Sequence, residues 1–363
     1  MRDYTGKTVF VGLDVHKKTY SVVCICDKTV VKKDTLEATP SMLLEYLEKY
    51  FPQAHIKTVY EAGFCGFVLH RFLQAHGIEN IVVNAGSVEI SARDRVKTDK
   101  RDALKLATQL EDGRLRGIHI PEVYREGYRE ISRLREKVAQ DKRRVGNRLK
   151  SLLMRQGLMG AKDDPRITQS WVKSVLEFST EPSVKYCLEQ CVSEWLLLSE
   201  KVKEIEKELA KQACVDEKIE KVYRSVPGIG PLSARVLANE LGDMSQFSNE
   251  KKLFSFTGLT PREYSSGEHK RLGSISRQGR PLIRKTLVEV AWMAIRFDQS
   301  LALVYARIAH KAGGKKAIVA VARRLIGQIR SCFKNDVLYQ LREVTIGYEV
   351  CQTSDNEVLE PVV

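Results

Sequence analysis

Within the first 112 residues, β-branched runs and helical-period runs alternate in an order that few architectures satisfy. Residues 8–13 (Thr-Val-Phe-Val-Gly-Leu) form an apolar run ending at Asp14, a second run fills 19–26 and a third lies near 29–35. Their connections are hairpin-length, with Asp27-Lys28 as the second turn, so three antiparallel strands are expected. Leu43, Leu44, Tyr46 and Leu47 then recur at helical spacing within 40–50, and a strand at 57–60 ends in Glu61-Ala62-Gly63. A helix at about 66–76, a strand Ile81-Val82-Val83 and a helix at about 101–112 follow. The order βββ-α-β-α-β-α predicts an α/β domain: a mixed sheet whose later strands are joined by helical crossovers.

In such a sheet, ligands gather at the carboxyl ends of parallel strands, and Asp14 and Glu61 both sit at predicted strand ends. The stretch Lys97-Thr98-Asp99-Lys100-Arg101-Asp102-Ala103 adds two carboxylates three residues apart at the mouth of a predicted helix. Residues at i and i+3 share a helical face, so Asp99 and Asp102 can point into one volume. Clustered anions repel unless they share a cation, which suits a divalent metal. Lys97, Lys100 and Arg101 flank the pair and are placed to hold a polyanionic substrate. The alternative is a helix start with acids at the positive end of the dipole and a solvated charge run around it.

The chain has 363 residues, enough for two or three domains, and a formal net charge of +14 with a sequence pI near 9.3. That charge points to an acidic partner, foremost nucleic acid, whose phosphates release counterions when neutralised. There is no run of about 18 apolar residues and no signal pattern, so no membrane partner and a cytoplasmic location are expected. Eight cysteines are scattered without CxxC pairs and read as reduced thiols. Cys187 and Cys191 are four apart, but no second pair completes a zinc set. His16 follows Asp14 by two residues and reads more readily as structural. No GxxxxGK[ST] loop occurs, so no nucleotide cofactor is expected.

Gly-Leu-Asp14-Val-His-Lys, Tyr-Glu61-Ala-Gly and Lys-Thr-Asp99-Lys-Arg-Asp102-Ala, in this order and spacing, resemble the DEDD signature of the RuvC-like, RNase H-type domain in DEDD transposases.

From about 121 the character changes. Ile131, Leu134, Val138, Val145, Leu149 and Leu152 form an apolar stripe among many Arg and Lys residues, which Asp164-Pro165 is expected to interrupt. A second helix from roughly 183 to 218 carries Trp195, Leu198, Val202, Ile205 and Leu209 in steps of three and four, a coiled-coil seam. The pair reads as an antiparallel hairpin, within the chain or against a second protomer, and its basic outer face as solvated or as a nucleic-acid contact. Pro227-Gly228-Ile229-Gly230 then makes a tight helix-hairpin-helix-like turn before a helix. Gly228 and Gly230 are read as a backbone-phosphate contact, with a packing turn as the alternative.

Further on, a short helix and a Pro261-Arg262 turn lead to Ser265-Ser266-Gly267, followed by Lys270-Arg271 and Arg277. The stretch resembles the C-terminal transposase domain of the same DEDD family, whose Ser-Gly serine is the nucleophile. That resemblance selects Ser266, with Ser265 as the alternative. Helices at about 280–297 and 315–333 close the chain, with Lys311-Ala-Gly-Gly-Lys315-Lys316 read as a flexible basic loop for phosphate or for solubility. Beyond about 345 little periodicity remains and a mobile tail is expected.

The resemblance runs from Asp14 to about Arg330 and implies an RNA-guided recombinase of the bridge-RNA insertion-sequence family. It implies a quartet Asp14, Glu61, Asp99, Asp102 binding Mg²⁺, with Mn²⁺ as the substitute ion, and a covalent phosphoserine on Ser266. It further implies donor and target DNA, a structured guide RNA, a homodimer and a tetrameric synapse on nucleoid DNA. Four segments are expected: 1–120 RuvC-like, 121–220 helical, 221–335 the mainly helical serine domain, and 336–363 the tail. Asp99 and Ser266 flank the helical hairpin in the chain, which permits a site shared between protomers. Three alternatives stand: a DNA invertase on this scaffold, a RuvC-like nuclease using water, and a non-catalytic nucleic-acid-binding protein.

Overall fold

The computed structural model describes residues 3–89, 98–160, 162–178, 180–264, 271–341, 348–349 and 360–361. It divides into two compact units, Met1–Pro121 and Glu122–Val363.

The first unit is built on β1 (Thr8–Val15), β2 (Thr19–Cys26), β3 (Thr29–Glu37), α1 (Pro40–Tyr50), β4 (His55–Glu61), α2 (Val68–Ala75), β5 (Glu79–Val83) and α3 (Asp99–Glu111). The five strands form one mixed sheet in the order β3-β2-β1-β4-β5, compatible with an RNase H-like domain. β1–β2 and β2–β3 are antiparallel, and β1–β4 and β4–β5 are parallel. Asp27 and Lys28 both take left-handed φ, 51° and 61°, the geometry that lets a two-residue turn match the strand twist.

Alternation along the strands sorts two faces. Val9, Val11 and Leu13 of β1 pack with Leu43 and Leu47 of α1 and Leu69 and Leu73 of α2. The opposite face receives α3, whose Ala103 and Ala107 meet Val23 and Ile25, while Leu106 meets Val59 and Val83. Gly12 lies under α3: a Cβ built there would overlap the Ala103 carbonyl oxygen and stand 2.6 Å from the Ala107 amide nitrogen. Helix and strand therefore approach backbone to backbone at that point.

The second unit begins with α4 (Val123–Arg155), α5 (Gln169–Ser174) and α6 (Pro182–Val215). Arg135 pairs with Glu206 and Arg148 with Glu194, so advance along α4 is retreat along α6 and the two run antiparallel. Val145, Leu149 and Leu153 of α4 pack there with Leu188, Val192 and Trp195 of α6 and Val172 of α5. The end of α4 comes earlier than Asp164-Pro165. Gly157, at φ 67°, donates to the Met154 carbonyl and Leu158 to that of Leu153, a Schellman closure at the first glycine able to adopt it.

Beyond lie α7 (Glu217–Arg224), α8 (Pro231–Leu241), α9 (Glu250–Thr257), β6 (Pro261–Glu263), β7 (Leu272–Ile275), α10 (Pro281–Ala294), α11 (Gln299–Ala312) and α12 (Gly314–Asn335). Their core joins Tyr223, Leu237, Leu241, Leu253, Leu287, Val321 and Leu325. Two expectations are corrected here. Pro261-Arg262 is a strand rather than a turn, because it pairs with β7. Lys311 to Lys316 is not a loop: α11 runs to Ala312 and α12 starts at Gly314, and Gly313 alone, at φ 83°, makes the corner.

The first half of α4 also departs from the apolar stripe. Leu134 is half exposed, and arginines occupy the inner face instead. Arg125 donates to Asp216 at 3.0 Å, Arg129 to the Asn239 and Glu240 carbonyls at 3.0 Å each, and Arg133 to Glu240 at 2.8 and 3.0 Å. Arg235, buried in α8, donates to the same Asp216 at 2.6 Å. Arg125, Arg129 and Arg133 of α4 are thus spent inside the fold.

Candidate active site

Register and pleat put Asp14 and Glu61 on one sheet face at the same end. Leu13 pairs with Tyr60 across the parallel β1–β4 ladder, so the next residues, Asp14 and Glu61, end neighbouring strands. By alternation from Gly12 and Val59, both belong to the face that α3 covers. α3 starts at that end of the sheet: the Thr98 hydroxyl accepts from the Arg101 amide and caps it, putting Asp99 and Asp102 in the first turn. The close seat at Gly12 sets the helix's height over β1, and so the height of its first turn.

Asp14 and Asp99 meet through His16, which the sequence alone reads as structural. His16 Nε2 lies 3.1 Å from Asp14 Oδ2 and 3.3 Å from Asp99 Oδ2. One ligand atom from each of the three falls within 4.8 Å of the others, a group able to hold a metal ion. The usable signal was the Asp-x-His spacing at a strand end, because i and i+2 return to one face. The His16 amide donates to the Thr19 carbonyl at 2.9 Å and so extends the β1–β2 pairing to this residue. Asp102 leans to Lys105, whose Nζ donates to Oδ1 at 3.2 Å, and the three-membered group contains neither Asp102 nor Glu61.

Burial pushes the Asp14 carboxyl above its ordinary value; His16 opposes this, and the charges of Asp99 and Asp102 add to the rise. A carboxylate with too little compensation from the protein is what a cation would relieve. The donor set of carboxylate oxygens and one imidazole suits a divalent ion. Lys100 and Arg101 are exposed beside it, and Lys97 lies outside the described residues.

In the second unit, the Tyr264 amide donates to the Arg271 carbonyl at 2.9 Å, closing the β6–β7 hairpin around residues 265–270. Ser265, Ser266, Gly267 and Lys270 fall in that segment, outside the described residues. Arg262, Arg271 and Arg277 are exposed on and beside the hairpin. Its base is tight: a Cβ on Gly258 or on Gly279 would overlap the backbone of Gln278 or Phe256 respectively. Arg284 donates to the Gly279 carbonyl at 2.9 Å and to that of Thr257 at 3.3 Å, tying the two sides together.

Gly228 has a packing reason for being glycine. Its φ is 87°, and a Cβ would stand 3.2 Å from the Val290 carbonyl oxygen and 3.3 Å from the Ala294 amide nitrogen on α10. Gly230 is exposed with open space around it, at the start of α8. Lys315 and Lys316 lie in the first turn of α12. The seven described cysteines are all free thiols, and among the described residues no helix is long and apolar enough to cross a membrane.

Comparison with known proteins adds a second line. A DEDD-type IS110 family model described as a transposase matches residues 11–156, and a model described as the transposase IS116/IS110/IS902 family matches residues 220–306. A putative transposase of Sinorhizobium fredii, y4rJ, is 30% identical over 305 residues, 77% of this chain and 76% of that protein. The transposase for insertion sequence element IS1533 of Leptospira borgpetersenii is 26% identical over 340 residues, 91% of this chain and 96% of its own length. Another S. fredii putative transposase, y4qE, is 28% identical over 244 residues, and there the chain spans only 58% of the relative.

Proposed function

We propose that this chain, which belongs to the IS116/IS110/IS902 family of transposases and so is an enzyme that cleaves and rejoins DNA, cuts with a divalent ion and a serine nucleophile. Asp14, Glu61, Asp99 and Asp102 hold the ion, Mg²⁺ foremost, and Ser266 makes the attack. The observation that carries this reading is the arrival of Asp14, Glu61 and the first turn of α3 on one sheet face, where burial and the charges of Asp99 and Asp102 raise the Asp14 carboxyl.

A bound divalent ion would neutralise the attacked phosphate and stabilise the departing oxygen. The chain's own groups do the rest. Ser266 Oγ loses its proton and bonds to phosphorus, one phosphorus–oxygen bond of the DNA backbone breaks, and the departing oxygen takes up a proton. The phosphoserine ester conserves the bond energy, so a second hydroxyl can reverse the step and rejoin DNA without a nucleotide cofactor. Lys100, Arg101, Arg262, Arg271, Arg277, Lys315 and Lys316, with Lys97 and Lys270, neutralise phosphates on the DNA or on a guide RNA. The Gly228–Gly230 turn meets a further backbone phosphate.

On this reading the working form is RNA-guided: a homodimer pairs into a tetramer that holds donor and target DNA, on nucleoid DNA in the cytoplasm. The chain's four segments, 1–120, 121–220, 221–335 and 336–363, supply the acids, the spacing helices, the serine and a tail.

A nicked suicide DNA substrate given guide RNA and Mg²⁺ tests the assignment by trapping a protein–DNA adduct that peptide mass analysis maps. The adduct is expected on Ser266 and absent in Ser266→Ala, and cleavage is expected to vanish in Asp102→Asn. An adduct on another residue, or unchanged cleavage in Ser266→Ala, overturns the nucleophile. Intact cleavage in Asp102→Asn overturns the metal site. Cleavage without any adduct favours the water-using nuclease.

A further inference from the structure

We propose that His16 is a direct ligand of the ion at this site and the residue that sets its metal preference; the proposal rests on the reading of Asp14 and Asp99 as metal-binding. The starting point is a mismatch in hydrogen-bond arithmetic. One imidazole nitrogen, Nε2, faces two carboxylate oxygens at once, at 3.1 and 3.3 Å. Both carboxylate oxygens are acceptors, so a protonated Nε2 aims its one hydrogen at a single partner, here Asp14, and an unprotonated Nε2 serves neither. A shared cation satisfies all three.

The spacing agrees. Ion–ligand bonds of about 2.0–2.1 Å place ligands on adjacent corners about 3 Å apart. The two His16 distances match that separation. The local chain also fixes the ring: the His16 amide is bonded to the Thr19 carbonyl, at the point where β1 hands over to β2. Asp14 and His16 are thereby carried on one rigid strand end, and Asp99 is added from the capped first turn of α3.

The chemical consequence is a change in selectivity. Carboxylates alone favour Mg²⁺ and Mn²⁺, whereas imidazole adds affinity for later ions such as Co²⁺. With His16 in the set, the site binds Mn²⁺ and Co²⁺ more tightly relative to Mg²⁺ than four acids would.

The test uses the full-length protein loaded with Mn²⁺ and read by pulsed electron paramagnetic resonance for nitrogen hyperfine coupling, a readout independent of turnover. Wild type is expected to show nitrogen coupled to the bound Mn²⁺. In His16→Ala the coupling is expected to disappear and the Mn²⁺ affinity to fall about tenfold. In His16→Asp, an all-oxygen set, the ratio of Co²⁺ to Mg²⁺ affinity is expected to fall about tenfold. His16 is 47% exposed at its side chain, so these variants should keep the wild-type melting temperature, which a thermal scan checks. Bound Mn²⁺ without nitrogen coupling, or coupling that survives His16→Ala, overturns the ligand while leaving the four acids in place. Mn²⁺ binding that Asp14→Asn does not weaken overturns both.

Discussion

Asp14 is a half-buried aspartate and Asp216 a buried one, and their surroundings drive them in opposite directions. At Asp14, burial raises the carboxyl's pKa and the neighbouring acids Asp99 and Asp102 raise it further, while His16 opposes them. At Asp216, burial also pulls upward, but hydrogen bonds and charge from Arg125 and Arg235 more than reverse it and hold the carboxyl low. The second unit completes its charge pairs internally, which makes them parts of the frame. The first leaves negative charge crowded at a sheet end, where Asp99 and Asp102 raise the cost of ionising Asp14.

The contrast breaks most visibly at Asp216. Asp216→Ala removes the carboxylate that two buried guanidiniums share, leaving Arg235 only the longer pair with Glu220, and urea unfolding should show the second unit destabilised by about 3–5 kcal/mol. If it loses nothing, the network is not structural. Next, Gly12→Val forces α3 off β1, and overpacking of this kind costs about 1–3 kcal/mol. Titration calorimetry should show Mn²⁺ affinity lost with it, since the first turn of α3 moves. Asp14→Asn sharpens the comparison by reversing the sign: removing a repelled charge should stabilise the first unit by about 0.5–2 kcal/mol while abolishing cleavage.

Acid titration separates the same two residues. Folded Asp14 titrates above 3.8, so its native state holds a proton longer than the unfolded chain does. That contribution favours the fold at low pH and is lost as pH rises from 3.8 through the raised value. Folded Asp216 titrates below 3.8, so its contribution is present above 3.8 and is lost as pH falls through the lowered value. Thermal melts should therefore lose opposite limbs in Asp14→Asn and Asp216→Asn. The smallest effect is expected at Arg148→Ala. Its pair with Glu194 is about half exposed on both sides, and chemical unfolding should move by less than about 1 kcal/mol.

The sheet was legible because its period-two runs and hairpin turn are local signals: Asp27-Lys28 needed only its own conformation to close β2 on β3. The acids at strand ends followed from the same pattern. His16 was half readable: the Asp-x-His spacing puts it on the Asp14 face, but its contact with Asp99 comes from a different element far along the chain and shows only in the fold. The arginines of α4 were misread for a related reason. A basic helix face looks solvated until Asp216 at the α6–α7 junction and the acidic and carbonyl groups of α8 fold against it, and Asp216, Asn239 and Glu240 are distant in sequence. α11 was missed because its one-residue corner at Gly313 leaves too little punctuation to separate two helices from a loop.

The contact at Gly12 has a consequence for reading related sequences. The span between strand-borne and helix-borne acids is set there by main-chain atoms, which no substitution elsewhere can replace. A relative with all four acids intact but a side chain at the position of Gly12 would carry the signature without its spacing. The residue two places before the first aspartate is therefore worth reading beside the acids.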